Sequence, residues 1–295
     1  MIATSPRVDP AALRSNLKQI IGERSPLSGR NHLAAVEAHV EREFRSYGLR
    51  VESDAFSHWG ASYRNVIART APHPHPSPIG RGKEGEGLII IGAHLDSVEG
   101  SPGADDNASG VAVLLEAARV LARSRLRAEV LFCTFNLEEF NMIGSTHFAR
   151  KLKAQRAKVK AMISLEMVGF TDKRPDSQKY PPGLRWFYPN RADFIGIIGN
   201  WRSSALVRQC AWRMRRVPQL PVETLTVLGN GFLLPQVRLS DHAPFWDLGY
   251  PALLVTDTAF FRNPHYHAAS DTLPTLDLDF MAKVCQGVVL AVLGL

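Results

Sequence analysis

The chain has 295 residues, 45% of them hydrophobic, and no linker-like segment divides it, so we expect a single domain over residues 1–295. It contains no apolar run of about 18 residues and no basic segment followed by an apolar one at its start, which with only three cysteines argues against a membrane partner and favours the cytoplasm. The charge of +7 invites nucleic-acid binding, but the arginines between 202 and 216 alternate with apolar residues as in an amphipathic surface helix, so we expect no nucleic-acid partner.

The first part of the chain predicts two helices followed by two strands. Apolar residues at helical spacing cover 10–21 and 31–47, and Gly48 ends the second helix. Residues 50–56 and 63–70 have the pattern of strands, joined through the turn-like SHWGAS. Residues 71–87 follow, and their proline, glycine and charged residues cannot form a packed core, so we expect an inserted mobile surface loop.

The next part alternates strands and helices. Residues 88–91, 130–135 and 161–168 predict buried strands, and 108–123 and 145–153 predict the helices between them. This alternation predicts a three-layer α/β fold, in which a mixed, mostly parallel central sheet is flanked by helices on both faces.

The last third of the chain is less regular. Residues 171–200 are rich in proline and aromatic residues and predict a long loop. The arginine-rich helix follows, then strands at 222–228 and 251–257 with a short helix from Ser240 or Asp241 between them, and a closing helix over 278–293.

Residues with metal-binding side chains follow five of the strands or their loops. They are His94 with Asp96, Asp106, the pair Glu138 and Glu139, Glu166, and His267 or His265. A doubly wound sheet brings such positions to one edge, where buried carboxylates need cations. Two histidines and three or four carboxylates suit two zinc ions about 3.5–4 Å apart, with one acid free to move a proton.

Simpler interpretations exist for the same residues. His94 and Asp96 at i and i+2 could pair only with each other, and Asp105, Asp106 and Asn107 could merely cap a helix. His242 beside Asp241 is typical of a hydrogen-bonded core histidine.

Five motifs, in this order and spacing, resemble those of the M28 family of zinc exopeptidases, which includes bacterial aminopeptidases. They are GAHLDSVEGSPGADDNASG, NLEEFNMIGS, SLEMVG, SDHAPF and HYHAASDT, and the resemblance covers roughly residues 60–290. It implies a mixed sheet between helices and a site with two zinc ions per chain.

The resemblance also implies a role for each matching residue. His94 would bind one zinc. Asp96 would orient the imidazole of His94 without contacting the metal, and Asp106 would bridge both ions. Glu139 and His267 would bind the second zinc. These positions are read from the motifs of this sequence.

Glu138 would be the general base and Tyr266 would help to polarise the scissile carbonyl, while Asp241 would order the loop beside the site. Glu166 stands where many members have aspartate, and its carboxylate would complete the first zinc site.

We therefore expect a zinc-dependent exopeptidase that removes amino-terminal residues from peptides through a water activated by the metals. One alternative is a glutaminyl cyclase of the same fold, which uses a single zinc. Another is a binding protein that kept the fold and lost catalysis, although every ligand position here is filled by a capable residue.

Overall fold

The computed structural model describes residues 7–70 and 87–295, so all of the predicted loop at 71–87 except Gly87 lies outside the described residues. The strands are β1 Arg50–His58, β2 Ala61–Arg69, β3 Leu88–His94, β4 Val130–Phe135, β5 Val159–Glu166, β6 Ile195–Asn200, β7 Val222–Val227 and β8 Ala252–Thr256. The α-helices are α1 Pro10–Ile20, α2 Arg30–Ser46, α3 Gly110–Leu121, α4 Ile143–Ala154, α5 Ser204–Met214, α6 His242–Asp247 and α7 Leu278–Gly294.

The eight described strands form one sheet in the order β1-β2-β4-β3-β5-β8-β6-β7. Strands β4, β3, β5 and β8 run parallel in its middle. The antiparallel hairpin of β1 and β2 joins one edge through β4, and the parallel pair of β6 and β7 joins the other, with β6 antiparallel to β8. The prediction of a mixed, mostly parallel sheet is confirmed.

Helices cover both faces of this sheet. In β3, Ile89 and Ile91 belong to an apolar cluster that also contains residues of α1, α2, α3, α5 and α7. Ile90, between them, belongs to the cluster on the opposite face, which contains residues of α4 and α6. Successive side chains of a strand point to opposite faces, so the unbroken apolar run is buried on both sides. This arrangement is the predicted three-layer fold.

The prediction of a loop throughout 171–200 is wrong at its end, where β6 forms. Gly196 and Gly199 interrupt the apolar run of this strand, which weakens the strand signal in the sequence. Gly199 has a packing role, because a Cβ atom there would overlap Cγ2 of Val207 in α5. The glycine therefore allows α5 to approach the sheet closely.

Other elements differ from prediction only at their ends. Helix α3 begins at Gly110, later than predicted, because the backbone at Asp106 and Asn107 has non-helical dihedral angles. Asp241 lies at the N-cap position of α6, but its side chain makes no capping hydrogen bond. Cys133, Cys210 and Cys285 are buried and free. None of the helices within 7–70 and 87–295 is both long enough and apolar enough to cross a membrane.

Replacing Gly199 by alanine tests this close packing. The new methyl group would overlap the side chain of Val207, so Gly199→Ala should lower the free energy of unfolding by about 1–3 kcal/mol in urea denaturation. The double variant with Val207→Ala should lose less than the sum of the two single variants. Strict additivity would contradict the proposed contact.

Candidate metal centre

The sheet topology brings the sequence-predicted residues together at the carboxyl ends of three adjacent strands. His94 is the last residue of β3, and Glu166 is the last residue of the neighbouring β5. Glu138 and Glu139 follow β4, on the other side of β3. Asp106 comes from the turn before α3, and the loop after β8 supplies the last member of the cluster.

His94, Asp106 and Glu166 form a first group of side chains that could hold a metal ion. Nε2 of His94 lies 3.1 Å from Oδ1 of Asp106 and 3.2 Å from Oε1 of Glu166. All three residues are buried. One nitrogen and two carboxylate oxygens are ligands that zinc accepts.

A second group consists of Asp106, Glu139 and His267. Nε2 of His267 lies 3.1 Å from Oδ2 of Asp106 and 3.3 Å from Oε2 of Glu139. Asp106 is thus common to both groups, and its two oxygens face different histidines. The neighbouring His265 instead has its Nδ1 2.9 Å from the hydroxyl of Ser270, so the structure places His267, and not His265, in the cluster.

Both histidines are held in strongly acidic surroundings. Burial lowers the pKa of His94, but nearby carboxylates, Glu166 foremost, raise it well above its usual value. Burial also lowers the pKa of His267, and its hydrogen bonds to Asp106 and Glu139 outweigh this effect and raise it to about 10. A metal ion would have to displace protons from these rings in order to bind.

The two glutamates that follow β4 have raised pKa values. Burial raises the pKa of Glu139 to about 7, and the charge of Asp106 adds to it. Burial likewise raises the pKa of Glu138, against the influence of His94. Buried carboxylates in this number are unfavourable without cations beside them.

Asp96 holds the backbone of the two glutamates. Its carboxylate is fully buried and accepts the backbone N–H groups of Glu138 at 3.0 Å and Glu139 at 3.2 Å. Nδ1 of His94 lies 3.1 Å from the carbonyl oxygen of Asp96 and 3.8 Å from its carboxylate. Asp96 therefore orients the imidazole mainly through its main chain.

The motifs gave no role to two residues that fix the turn carrying Asp106. The carboxylate of Asp271 accepts the N–H groups of Asp105 and Asp106 at 2.9–3.1 Å. The guanidinium of Arg24 is buried and donates to the carbonyl oxygens of Ile20, Gly22, Leu95, Pro102 and Gly103. Asp271 stands inside the HYHAASDT motif, whereas nothing in the sequence around Arg24 marks it.

Ser240, Asp241 and His242 lie beside the first group. The hydroxyl of Ser240 donates to Oε2 of Glu166 at 2.8 Å, which leaves Oε1 facing His94. Asp241 is fully buried beside the cluster, and burial raises its pKa to about 7. Nε2 of His242 lies 2.8 Å from the carbonyl oxygen of Val237, as in a hydrogen-bonded core histidine.

Tyr266 packs directly against the second group. Its ring stacks on that of His267 with 3.8 Å between ring centroids, and it lines a cavity together with Glu166. Burial raises the pKa of Tyr266, so its hydroxyl keeps its proton and can donate a hydrogen bond.

Solved structures place this fold among those of the bacterial aminopeptidases. The aminopeptidase from Aneurinibacillus sp. strain AM-1 superposes with a TM-score of 0.73 at 20% identity, over 98% of this chain and 94% of that one. The glutaminyl cyclase of Porphyromonas gingivalis superposes with a TM-score of 0.66 at 22% identity, over 98% and 99% of the two chains. At these identities the likeness shows the fold alone.

Sequence comparison identifies the family. The family model described as Peptidase family M28 matches residues 65–292, so the chain belongs to peptidase family M28, as its motifs predict. A protein of Escherichia coli strain K12 named "Uncharacterized protein YfbL" is 34% identical, over 98% of this chain and 89% of that protein. A "Probable leucine aminopeptidase" of Arthroderma otae is 33% identical over 68% of this chain. The chain spans about half the length of that relative.

Removing Arg24 tests whether it supports the turn that carries Asp106. Arg24→Met would remove the hydrogen bonds that the buried guanidinium donates to carbonyl oxygens, so the free energy of unfolding in urea should fall by about 3 kcal/mol. Arg14→Met is the matched control, since Arg14 lies exposed on α1. Equal losses in both variants would contradict the role of Arg24.

Proposed function

We propose that this M28 member is a zinc-dependent exopeptidase that removes amino-terminal residues from peptides. The observation that carries the proposal is the sharing of Asp106 between two groups of metal-binding side chains. His94 and Glu166 would complete one zinc site, and Glu139 and His267 the other. The nitrogen and carboxylate donors suit zinc, and cations would offset the buried negative charge.

When bound, two zinc ions would polarise the scissile carbonyl and lower the pKa of the attacking water. Glu138 would then act as general base. It belongs to neither ligand group, and its Oε2 lies 4.0 Å from Nε2 of His94. Its raised pKa suits a residue that takes a proton from water and delivers it to the leaving amine.

Two other residues would act around this step. Asp96 would keep Glu138 in place through the backbone N–H that it accepts. The hydroxyl of Tyr266 would donate a hydrogen bond to the developing oxyanion. The position of Tyr266 supports this role, because its ring stacks on that of His267 and it lines the cavity with Glu166.

The alternatives are less well supported. A glutaminyl cyclase would use one zinc, whereas both ligand groups are complete here and the family model is that of a peptidase. A non-catalytic binding protein would not need a free carboxylate at Glu138.

The cytoplasmic location stays a prediction, consistent with the three free cysteines.

Hydrolysis of aminoacyl para-nitroanilides tests the activity. The purified protein should release para-nitroaniline, lose this activity after chelation, and regain it when zinc is added back. Release that persists after complete removal of metal would contradict the role of zinc. No release from any aminoacyl substrate would contradict aminopeptidase activity.

Replacing Glu138 tests the general base. Glu138→Gln keeps the size of the side chain but cannot accept the proton, so kcat should fall by about 10²–10⁴-fold while the bound zinc stays unchanged. Glu99→Gln is the control, because Glu99 is exposed on the loop after β3. Near-normal turnover in Glu138→Gln would show that another residue is the base.

A further inference from the structure

A cavity of about 120 Å³ opens beside the candidate metal centre. Glu166 and Tyr266 line it at the end near the metal centre. Its other walls come from β6, β7, β8 and the segments 178–188, 234–239 and 258–261. A substrate held at the metal centre would therefore have this space next to its reacting end.

Strand register shows how the cavity runs. Glu166 of β5 pairs with Thr256 of β8, Thr256 pairs with Gly196 of β6, and Gly196 pairs with Glu223 of β7. All four residues line the cavity. Adjacent strands are about 4.8 Å apart, so the backbones of the two glutamates are separated by three such spacings, on the order of 14 Å. The cavity thus extends over the four strands from Glu166 on β5 to Glu223 on β7.

Between the two glutamates the cavity is open and has an apolar floor. Gly196 contributes no side chain, and a Cβ atom there would lie 3.3 Å from the carbonyl oxygen of Thr256. The adjacent row consists of Leu254, Ile198 and Leu225, which are in register with one another and also line the cavity. A long unbranched side chain could lie across this floor.

The carboxylate of Glu223 lies at the far end of this floor. Within the described part of the chain its side chain has no hydrogen bond or ion pair, although the charge of Arg215 acts on it. Burial raises the pKa of Glu223, so part of its hydration is already lost. A cation placed beside it would compensate for that loss.

Two aromatic rings stand in the same wall. Tyr180 and Tyr188 stack with 5.8 Å between ring centroids, and the hydroxyl of Tyr188 donates to the carbonyl oxygen of Thr224. Aromatic faces attract cations, which adds to the effect of the carboxylate. Lys179 also lines the cavity, but its side chain is exposed and its charge is therefore screened by solvent.

We propose that this cavity binds the side chain of the substrate's amino-terminal residue and that Glu223 selects lysine or arginine there. The inference rests on the proposed exopeptidase function. The aliphatic stem of such a residue would lie on the apolar floor, and its charged head would pair with Glu223. Its α-amino group would remain at the end of the cavity near Glu166.

The test compares lysyl and norleucyl para-nitroanilides, because norleucine has the four-carbon side chain of lysine without its charged ammonium group. With the zinc-loaded protein, kcat/KM should be higher for lysine. In Glu223→Gln the lysine-to-norleucine ratio of kcat/KM should fall about 10-fold, because the charge that favours lysine is removed. The control is Glu99→Gln, which changes the net charge equally. An unchanged ratio in Glu223→Gln, or equal use of both substrates by the unmodified protein, would overturn the proposal.

A binding measurement separates this inference from the proposed activity. In isothermal titration calorimetry with the Glu138→Gln variant, which should bind the amides without hydrolysing them, lysine amide should bind more tightly than norleucine amide, and adding Glu223→Gln should remove the difference. If no substrate is hydrolysed but this difference is present, the exopeptidase function fails while the assignment of the cavity to a cationic side chain stands. Equal binding of the two amides would overturn the assignment, whatever the activity.

Discussion

Four buried or nearly buried carboxyl groups meet two imidazoles at one edge of the sheet, and the rest of the site depends on how their charge is compensated. Asp106 lies at the centre. Its Oδ1 is 3.1 Å from Nε2 of His94, and its Oδ2 is 3.1 Å from Nε2 of His267. Carboxylates that lose water on folding need protons or cations in exchange. Burial lowers the pKa of His267, but its hydrogen bonds to Asp106 and Glu139 raise it to about 10, so zinc would have to displace a proton from this ring in order to bind.

The residues around this centre are fixed largely through the main chain. Asp96 accepts two backbone N–H groups after β4, and Asp271 accepts those of Asp105 and Asp106. Arg24, between α1 and α2, donates to the carbonyl oxygens of Leu95 and Gly103, which precede the same turn. Groups that hydrogen-bond to metal ligands set the orientation of those ligands. Segments far apart in the sequence would therefore determine the geometry of the candidate metal centre together. The sheet brings the candidate ligands to one edge, and these hydrogen bonds fix the backbone that carries them.

The sequence was most informative where side-chain chemistry follows a buried strand. The runs before His94 and Glu166 predict strands, and parallel neighbours must end at one edge. Strand β6 was missed because its glycines, which α5 and the cavity require, hide the apolar pattern. Arg24 acts on carbonyl oxygens, which no sequence pattern reveals. Nothing in the sequence distinguishes Glu223 from an ordinary strand residue. Only the register across four strands places it in one row with Glu166, three strands away.

The central claim is that Asp106 is shared by two metal ions. Anomalous diffraction at the zinc absorption edge, from crystals grown with zinc, tests it most directly. The account predicts two peaks about 3.5–4 Å apart, one beside His94 and Glu166 and the other beside Glu139 and His267, with Asp106 between them. A single peak, or peaks that do not contact Asp106, would contradict it.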